Sequence, residues 1–330
     1  MNILIRSSVF YPSIGGLENL TVLLATEFVK SGHAVKVITE QPQDPLNPLP
    51  DIEVLPAGNA IAELKLFLWS DIFYMPNITL KGVWVMAFNP WKKWIISHND
   101  FHLTHSQNWK NKLKKNLIAR ASKNISVSQS VAESLDTPSD VVHNCYDNEI
   151  FKIYPEETRR FDFLFVGRLV TQKGCDLLIE ACTGLPAPFT LNIVGDGSER
   201  QNLHDKVAAR GLSDRVRFLG EIEKEPLARL MNQHRVMIVP SLRAEGFGIV
   251  ALEGLACGCK MLVSNAGGLP EAIAGFSEVF PMGDVDALRA CMRTQCAPSE
   301  PTDLMPPVKL QFLKDHSKQY VARKYLDLFA

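Results

Sequence analysis

A short apolar run that leads into a glycine loop and then a helix is the feature that most constrains how this chain can fold. Residues 236–239 are all apolar and are followed by Pro240, which is typical of a short buried strand. A loop with two glycines follows at 245–248, and strong helix formers begin at Ala251. The first amides of a helix lack an acceptor within the helix and lie at its positive end. The pattern therefore predicts a strand, a loop and a helix N-terminus that can bind an anion.

The start of the chain has the same organisation and indicates a parallel sheet. Apolar runs at 2–5 and 35–39 flank residues 17–30, whose apolar side chains recur at helical spacing. A strand–helix–strand unit implies parallel strands joined by a right-handed crossover. Gly15 and Gly16 lie in the loop after the first run, where glycines let the backbone approach a ligand. A tight turn explains these two glycines equally well, but the α/β fold class holds for both interpretations.

Two cations leave the end of another predicted strand. Residues 161–166 form an apolar run, and a helix is predicted over 175–182. Arg168 and Lys173 lie in the short loop between them. A guanidinium can make a two-pronged contact and an ammonium is a mobile point charge, so together they are suited to a diphosphate. A solvated charged loop is the alternative.

Two carboxylates frame the glycine loop at 245–248. Glu245 lies in the loop before the helix, and Glu253 lies about one and a half turns into the helix. Carboxylates would repel a phosphate, but they accept hydrogen bonds well from the vicinal hydroxyls of a ribose or a hexose. The alternative, that Glu245 is an ordinary loop residue and Glu253 a solvated helix residue, carries about equal weight.

Composition describes an ordinary soluble globular chain. The chain has 330 residues, 46% apolar and 22% charged, which favours two domains. Its seven cysteines form no dense framework, so we expect buried thiols in a reducing compartment, and Cys257 and Cys259 as core residues. The first residues lack the apolar region and small-residue cleavage site of a signal peptide, so we expect none, and no apolar run approaches the length that spans a bilayer. We therefore expect a cytoplasmic location, with peripheral attachment to the inner face of a membrane as a further option.

The stretch 81–120 is basic and rich in tryptophan. It contains eight lysines and arginines against one acid, Asp100, and all five tryptophans fall between Trp69 and Trp109. Tryptophan beside lysine suits the interface of an anionic bilayer. A solvated basic helix with core tryptophans is the alternative. No DNA- or RNA-binding motif accompanies the charge, so we expect no nucleic acid partner.

Together these motifs resemble the family 4 glycosyltransferases, which are retaining enzymes of the GT-B fold. Seven residues separate Glu245 from Glu253, as in the family's E-x7-E signature, and residues 267–271 (GGLPE) are similar to its flanking text. Residues 167–174 resemble the family's G-R-x4-K-G loop, and residues 15–18 its G-G-x-E loop. The resemblance implies two Rossmann-like domains facing a central cleft. The expected divisions are 1–153 for acceptor binding, 154–312 for nucleotide-sugar binding, and a C-terminal helix at 313–330 that returns to the first domain. Residues 151–160 are expected to link the two domains, and residues 311–329 to form one amphipathic helix.

The resemblance also implies a reaction and roles for individual residues. A sugar would pass from a UDP- or GDP-sugar to a glycan acceptor, lipid-linked in view of the basic stretch, as in cell-surface polysaccharide or lipopolysaccharide synthesis. Arg168 and Lys173 would bind the diphosphate and stabilise the leaving group, Glu253 would hold the ribose, and Glu245 the transferred sugar. His98, after the strand predicted at 94–97, would lie near the reacting groups, although an isolated histidine is more often structural. Further donor contacts would come from Gly15, Gly16, Gly167, Gly195, Ile222, Gly246, Phe247, Gly248, Ile249 and Val250.

Some features depart from the family or leave other functions open. Cys145 and Tyr146 replace the Gly and Val of the family's Asn-Gly-Val-Asp turn. Asp284 and Asp286 resemble a metal-binding D-x-D, but their context predicts a helix N-cap at Asp284, and we expect no metal or other cofactor. A GT-B epimerase or phosphorylase, or a non-catalytic membrane-associated assembly partner, remains the alternative function.

Overall fold

Two compact units make up this protein. The computed structural model describes residues 1–11, 15–41, 49–101, 109–296 and 305–330. One unit comprises residues 1–145 and 316–330, and the other residues 146–315. The segment 151–160, predicted to link the domains, belongs to the second unit, because Phe151 is buried and the Tyr154 amide donates to Asn232 Oδ1 at 3.0 Å.

The first unit is built on a parallel sheet that begins with the first residues of the chain. Its strands run in the order β3-β2-β1-β4-β5-β6-β7, and every pairing is parallel. Their bounds are β1 Asn2–Ser7, β2 Ala34–Thr39, β3 Glu53–Pro56, β4 Ile72–Pro76, β5 Lys93–His98, β6 Lys123–Ser126 and β7 Asp140–Val141. The helices are α1 Gly16–Lys30, α2 Ala60–Trp69, α3 Trp109–Ile118 and α4 Gln129–Glu133, with a 3₁₀ segment at Leu80–Ala87.

The second unit has its own parallel sheet. The strand order is β10-β9-β8-β11-β12-β13. Their bounds are β8 Phe161–Val166, β9 Leu191–Val194, β10 Val216–Gly220, β11 His234–Val239, β12 Lys260–Ser264 and β13 Glu278–Phe280. The helices are α5 Cys175–Cys182, α6 Arg200–Ala209, α7 Lys224–Asn232, α8 Ile249–Ala256, α9 Leu269–Ile273, α10 Val285–Gln295 and α11 Pro307–Asp315, with a 3₁₀ turn at Thr171–Lys173.

The apolar runs identified in the sequence form the central strands of both sheets. Central strands of a parallel sheet are covered on both faces, which is why they read as continuous apolar runs. In β8, Phe163, Leu164 and Phe165 are all buried, and β11 beside it is buried over Val236–Val239. The α/β fold class predicted from the sequence, with two parallel-sheet domains, is therefore confirmed.

The last segment of the chain differs from its prediction. Residues 311–329 were expected to form one amphipathic helix, but α11 ends at Asp315 and α12 spans Lys318–Phe329. Ser317 separates them, since its hydroxyl caps α12 by accepting from the Tyr320 amide. Tyr325 and Phe329 of α12 pack in the core of the first unit, against Tyr74 of β4.

Candidate functional site

The carboxyl ends of the strands in the second unit gather the loops that the sequence singles out. In a parallel sheet these ends lie along one edge, where α/β proteins bind ligands. The loops that follow β8, β9, β10, β11 and β12 carry Arg168 and Lys173, Gly195, Ile222, Glu245 and residues 265–268 respectively. The sheet thus places along one edge groups that are far apart in the sequence.

Lys173 and Glu245 form the centre of this edge. Lys173 Nζ lies 2.6 Å from Glu245 Oε1, and Ser241 Oγ donates to the same oxygen at 2.6 Å. Both charged side chains are about one quarter exposed, at 27% and 21%. The contact ties the loop after β8 to the loop after β11, and a backbone bond from Leu242 N to Gln172 O at 2.8 Å supports it.

The glycine between Lys173 and α5 is required by this approach of the two loops. Gly174 has φ of 70°, and a β-carbon there would collide with the carbonyl oxygen of Pro240. Glu245 is held from its other side by the loop after β12, since its amide donates to Ala266 O at 3.2 Å and its carbonyl accepts from the Gly268 amide at 2.8 Å. Three loops therefore fix the position of the Glu245 carboxylate.

Gly248 is the N-cap of helix α8, which begins four residues after Glu245. Its φ of 96° is left-handed, and no side chain caps the helix. The first amides of a helix, here those of Ile249 and Val250, have no acceptor within the helix, and both residues are partly exposed. Phe247 is only 1% exposed, so its side chain anchors the loop in the core. This arrangement can bind an anion.

The loops after β8 and β9 also touch through their backbones. Gly195 has φ of 126°, and a β-carbon there would collide with the carbonyl oxygen of Gly167. The Leu169 amide donates to Asp196 O at 2.8 Å, which closes the contact. Arg168 extends from this junction as an exposed side chain, and no ion pair within the described ranges involves it. Its five donors are therefore available to a ligand.

Glu253 is chemically different from Glu245, although both belong to one motif. It lies on α8 and is partly buried, and burial raises the pKa of its carboxyl to about 8. Lys224, the first residue of α7, opposes this shift in pKa, and Asp147 adds to it. Without a ligand the carboxyl is thus largely protonated at neutral pH, when it can donate as well as accept a hydrogen bond. Ile222 is partly buried in the short connection that precedes α7.

The site residues predicted in the first unit are His98, Gly15 and Gly16, and His98 has the contacts of a structural residue. His98 ends β5 and is 0% exposed, and its Nε2 pairs with Asn124 Oδ1 at 3.0 Å. Asn124 in turn donates to Ile118 O at 3.0 Å. This geometry favours the structural alternative for His98, and its place near reacting groups stays a prediction. Gly15 is the N-cap of α1 and Gly16 its first residue, with open space around Gly16.

Sequence reasoning missed several residues of the site. Ser241 was not predicted to belong to the site, although its hydroxyl donates to the Glu245 carboxylate. Lys224 and Asp147, which act on the pKa of Glu253, are distant in sequence and carry no motif. Asp284 was predicted as a helix cap, and it does accept from the Ala287 amide at 2.9 Å. In the part of the chain that is described, no three His, Cys, Asp or Glu side chains converge as a metal site would require.

The cysteines and the helices bear on two further predictions, those of buried thiols and of membrane attachment. All seven cysteines are free thiols, and Cys257 and Cys259 are core residues as expected. Among the described helices, none has the length and apolarity needed to cross a bilayer.

The fold is that of the GT-B glycosyltransferases. The structure superimposes on HepE of Anabaena, crystallised with UDP, with a TM-score of 0.84 over 99% of both chains at 21% identity. It also matches the lipopolysaccharide outer core galactosyltransferase WaaB in its apo form, with a TM-score of 0.76 over 99% of this chain and 98% of that one at 16% identity.

Sequence comparison relates the second unit to a known family. Residues 147–294, most of the second unit, match the model of the family "Glycosyl transferases group 1". It is 35% identical over 148 residues to the D-inositol 3-phosphate glycosyltransferase of Mycobacteroides abscessus, which covers 41% of this chain and 33% of that protein. The chain spans about a third of the length of the curated relatives it matches. The family resemblance drawn from the motifs is confirmed.

Proposed function

We propose that this protein transfers a sugar from a nucleotide-sugar to a glycan acceptor, with retention of the donor's configuration. The observation that carries the proposal is the pairing of Lys173 with Glu245 beside the open N-terminus of α8. The edge thereby combines cations, free amides and carboxylates. A nucleoside diphosphate linked to a sugar needs all three, because its phosphates are anionic and its two sugar rings carry vicinal hydroxyls.

The diphosphate would lie between Arg168, Lys173 and the first amides of α8. As the bond from the sugar to the β-phosphate breaks, negative charge grows on the phosphate oxygens. Cations that are already in position stabilise this charge without having to reorganise. Lys173 is held in position by Glu245 and is therefore preorganised, whereas only the backbone of Arg168 is fixed, at the junction of two loops.

The two carboxylates would each bind a different sugar ring. Glu245, fixed by three loops, is suited to the hydroxyls of the transferred sugar. Glu253, further along α8, would bind the ribose, and its raised pKa lets it do so as a neutral acid. Backbone groups near Ile222 would contact the base. Gly15, Gly16 and His98 would contribute from the first unit, as the family resemblance implies.

Retention would follow from attack on the same face that the leaving group departs from. The acceptor oxygen forms a bond to the anomeric carbon, the bond from that carbon to the phosphate oxygen breaks, and the phosphate takes the acceptor's proton. No protein nucleophile is needed, and we propose that no metal takes part. UDP-sugars are the first donors to test, since HepE was crystallised with UDP.

A lipid-linked acceptor is supported by the surface of the first unit. Trp91 is 90% exposed, Trp109 69% and Phe88 60%. Helix α3 buries only Ile118, and it exposes Leu113 together with lysines. Exposed aromatic side chains together with exposed lysines fit an anionic bilayer interface. WaaB, a fold neighbour, acts in lipopolysaccharide outer core synthesis by its name.

Not all of the lysines in the basic stretch would face such a membrane. Lys81 pairs with Glu40 and Lys115 with Asp136, each at 2.6 Å. Lys92 donates to the carbonyl of Ser70, and burial lowers its pKa. The cations left for anionic headgroups are then Lys93, Lys110, Lys112, Lys114 and Arg120.

A thermal-shift panel of UDP-, GDP- and ADP-sugars tests the donor site. A ligand at a hundred times its dissociation constant raises stability by about 2.7 kcal/mol. We expect one nucleotide to stabilise the wild type but not Arg168→Ala, while the surface control Arg210→Ala behaves like the wild type. Stabilisation of no variant by any nucleotide, or of all variants equally, would contradict the proposal.

Liposome flotation tests the membrane surface. We expect the protein to float with vesicles containing anionic lipid, and to lose this binding when Lys110, Lys112 and Lys114 are changed to Glu. A matched charge change in the second unit, at Arg210, Arg217 and Arg293, should leave flotation unchanged. Absence of binding to either neutral or anionic vesicles would exclude the membrane part of the proposal.

A further inference from the structure

A cavity in the first unit lies at the carboxyl ends of three neighbouring strands. Its volume is about 340 Å³, within the usual range of roughly 300–1,000 Å³ for small-molecule sites. It adjoins the ends of β1, β2 and β3, the edge of a parallel sheet where ligands bind. The polar and aromatic groups that line it are Arg6, Glu40, Gly58, Glu63, Lys81 and Trp84.

Arg6 is an unusual residue to find in this position. It belongs to β1, and its side chain is only 3% exposed. Among the described residues, its Nε has no hydrogen-bond partner, and its other contacts are long, at 3.4 Å from Nη1 to Ser7 O and 3.5 Å from Nη2 to Glu40 Oε1. An unsatisfied buried donor is costly, the more so when it is charged. The cavity wall therefore contains a buried cation that its described neighbours satisfy only weakly.

The fold makes room for this arginine. A β-carbon at Gly82, in the 3₁₀ segment, would lie 2.8 Å from Arg6 Cγ and 3.0 Å from its Nε. Any larger residue at position 82 would push the guanidinium away from its place. The close packing of Gly82 thus holds Arg6 at the cavity wall.

The charges around the cavity already balance one another. Lys81 Nζ pairs with Glu40 Oε2 at 2.6 Å, and Glu40 also faces Arg6. Glu63 is 6% exposed, and its Oε1 accepts from the Gly58 amide at 2.8 Å. Among the described residues that line the cavity, two cations therefore face two carboxylates. An anionic ligand would have to displace Glu40 from Lys81, whereas a neutral ligand with many hydroxyls could use all four groups as donors and acceptors.

Trp84 adds a flat apolar surface to this polar set. It is 38% exposed and meets Phe88 edge to face, with ring centroids 6.0 Å apart. An aromatic ring beside paired donors and acceptors matches a sugar ring, which has an apolar C–H face and a rim of hydroxyls. We propose that this cavity binds an uncharged pyranose residue of the acceptor glycan. The identification of this glycan as the acceptor rests on the proposed function. The binding of a pyranose in the cavity does not depend on it.

The cavity lies close to an exposed aromatic residue that is proposed to face the membrane. Phe88, in contact with Trp84, is one of the residues proposed to face the membrane. A glycan anchored in the bilayer could then reach the cavity with its first sugars.

Saturation-transfer NMR with methyl glucoside, galactoside and mannoside tests the proposal, with inorganic phosphate as the anionic probe. We expect at least one glycoside to bind the wild type, and about 10- to 100-fold weaker binding in Trp84→Ala and Arg6→Lys, as loss of a hydrogen bond to a charged group or of an aromatic contact implies. Leu68→Ala, a change of an exposed residue on α2 outside the cavity, is the control and should bind like the wild type. If Arg6→Lys does not fold, Lys81→Ala replaces it.

Two results would overturn the inference. One is that no glycoside binds, or that binding is equal in the wild type and Trp84→Ala. The other is that phosphate binds in an Arg6-dependent way and glycosides do not, which would make this an anion site. Thermal shifts with UDP-sugars in the same variants separate this inference from the proposed function. Nucleotide stabilisation without Trp84-dependent glycoside binding contradicts only the cavity, and the reverse result contradicts only the donor site.

Discussion

At the scale of single residues, burial gives the two glutamates of one motif different chemistry. Glu245 is an acceptor held by Lys173 and Ser241, each at 2.6 Å. Glu253 has no such partner within the described residues, and burial raises its pKa to about 8. The same side chain can therefore be a fixed acceptor at one position and a neutral acid eight residues later.

This difference predicts how stability depends on pH. In the unfolded chain Glu253 loses its proton near pH 4.5, but in the folded protein it keeps the proton to about pH 8. The folded state binds more protons between these values, so the free energy of unfolding should fall as pH rises through this window, by at most about 1.4 kcal/mol per pH unit. Glu253→Gln removes the titration. Its stability relative to wild type should increase from pH 5 to pH 8 in urea unfolding followed by far-UV circular dichroism.

An exposed carboxylate on the neighbouring helix α7 provides the control. Glu225→Gln should change stability by a similar small amount at pH 5, 6.5 and 8. A stability difference for Glu253→Gln that is constant over these three pH values would show that its proton is not retained on folding.

At the scale of elements, backbone contact between loops determines the shape of the donor edge. Gly195 has φ of 126° and no room for a β-carbon, because the carbonyl of Gly167 occupies that space. Gly211, which follows α6, is also left-handed at φ of 65°, but it has open space around it. Alanine substitutions at the two glycines can therefore separate the cost of a left-handed backbone from the cost of a steric clash.

Alanine substitutions at the two glycines should differ in stability. Gly211→Ala should cost about 1 kcal/mol, for the left-handed conformation alone. Gly195→Ala should cost at least about 2 kcal/mol, because a backbone carbonyl cannot move aside as a side chain can. Urea unfolding followed by circular dichroism measures both costs. Equal losses would mean that the two loops can separate without penalty.

At the scale of the whole molecule, the last helix belongs to the unit that contains the first residues. Phe329 of α12 packs against Phe28 and Tyr74, both with ring centroids 5.5 Å away, and against Tyr325. The chain therefore enters the second unit near residue 146 and returns near residue 316. The aromatic contacts of α12 then contribute to the stability of the first unit.

Tryptophan fluorescence can measure that contribution, because all five tryptophans lie in the first unit. Phe329→Ala removes a buried aromatic side chain and should destabilise the first unit by about 3–5 kcal/mol, which lowers the denaturant midpoint of the fluorescence transition. Phe312→Ala, in α11 of the second unit, is the control and should shift this midpoint less. An unchanged midpoint in Phe329→Ala would mean that α12 is dispensable for the first unit.

The sequence by itself determined the elements of this protein and the family of its second half. Strands such as β8 and helices such as α5 were predicted at their observed positions because an apolar run, a glycine turn and a helix cap act on near neighbours. The division near residue 153 and the single helix over 311–329 were less accurate, because packing rather than local pattern sets such limits.

Only the tertiary structure decided which distant groups meet. Lys173 and Glu245 are 72 residues apart, and their contact depends on β8 lying beside β11. The burial of Arg6 under Gly82 and the raised pKa of Glu253 depend in the same way on neighbours from other elements. Local periodicity carries no information on strand order, which follows from long-range hydrogen bonding and burial. The chemistry of both proposed sites therefore arises from the arrangement of the strands.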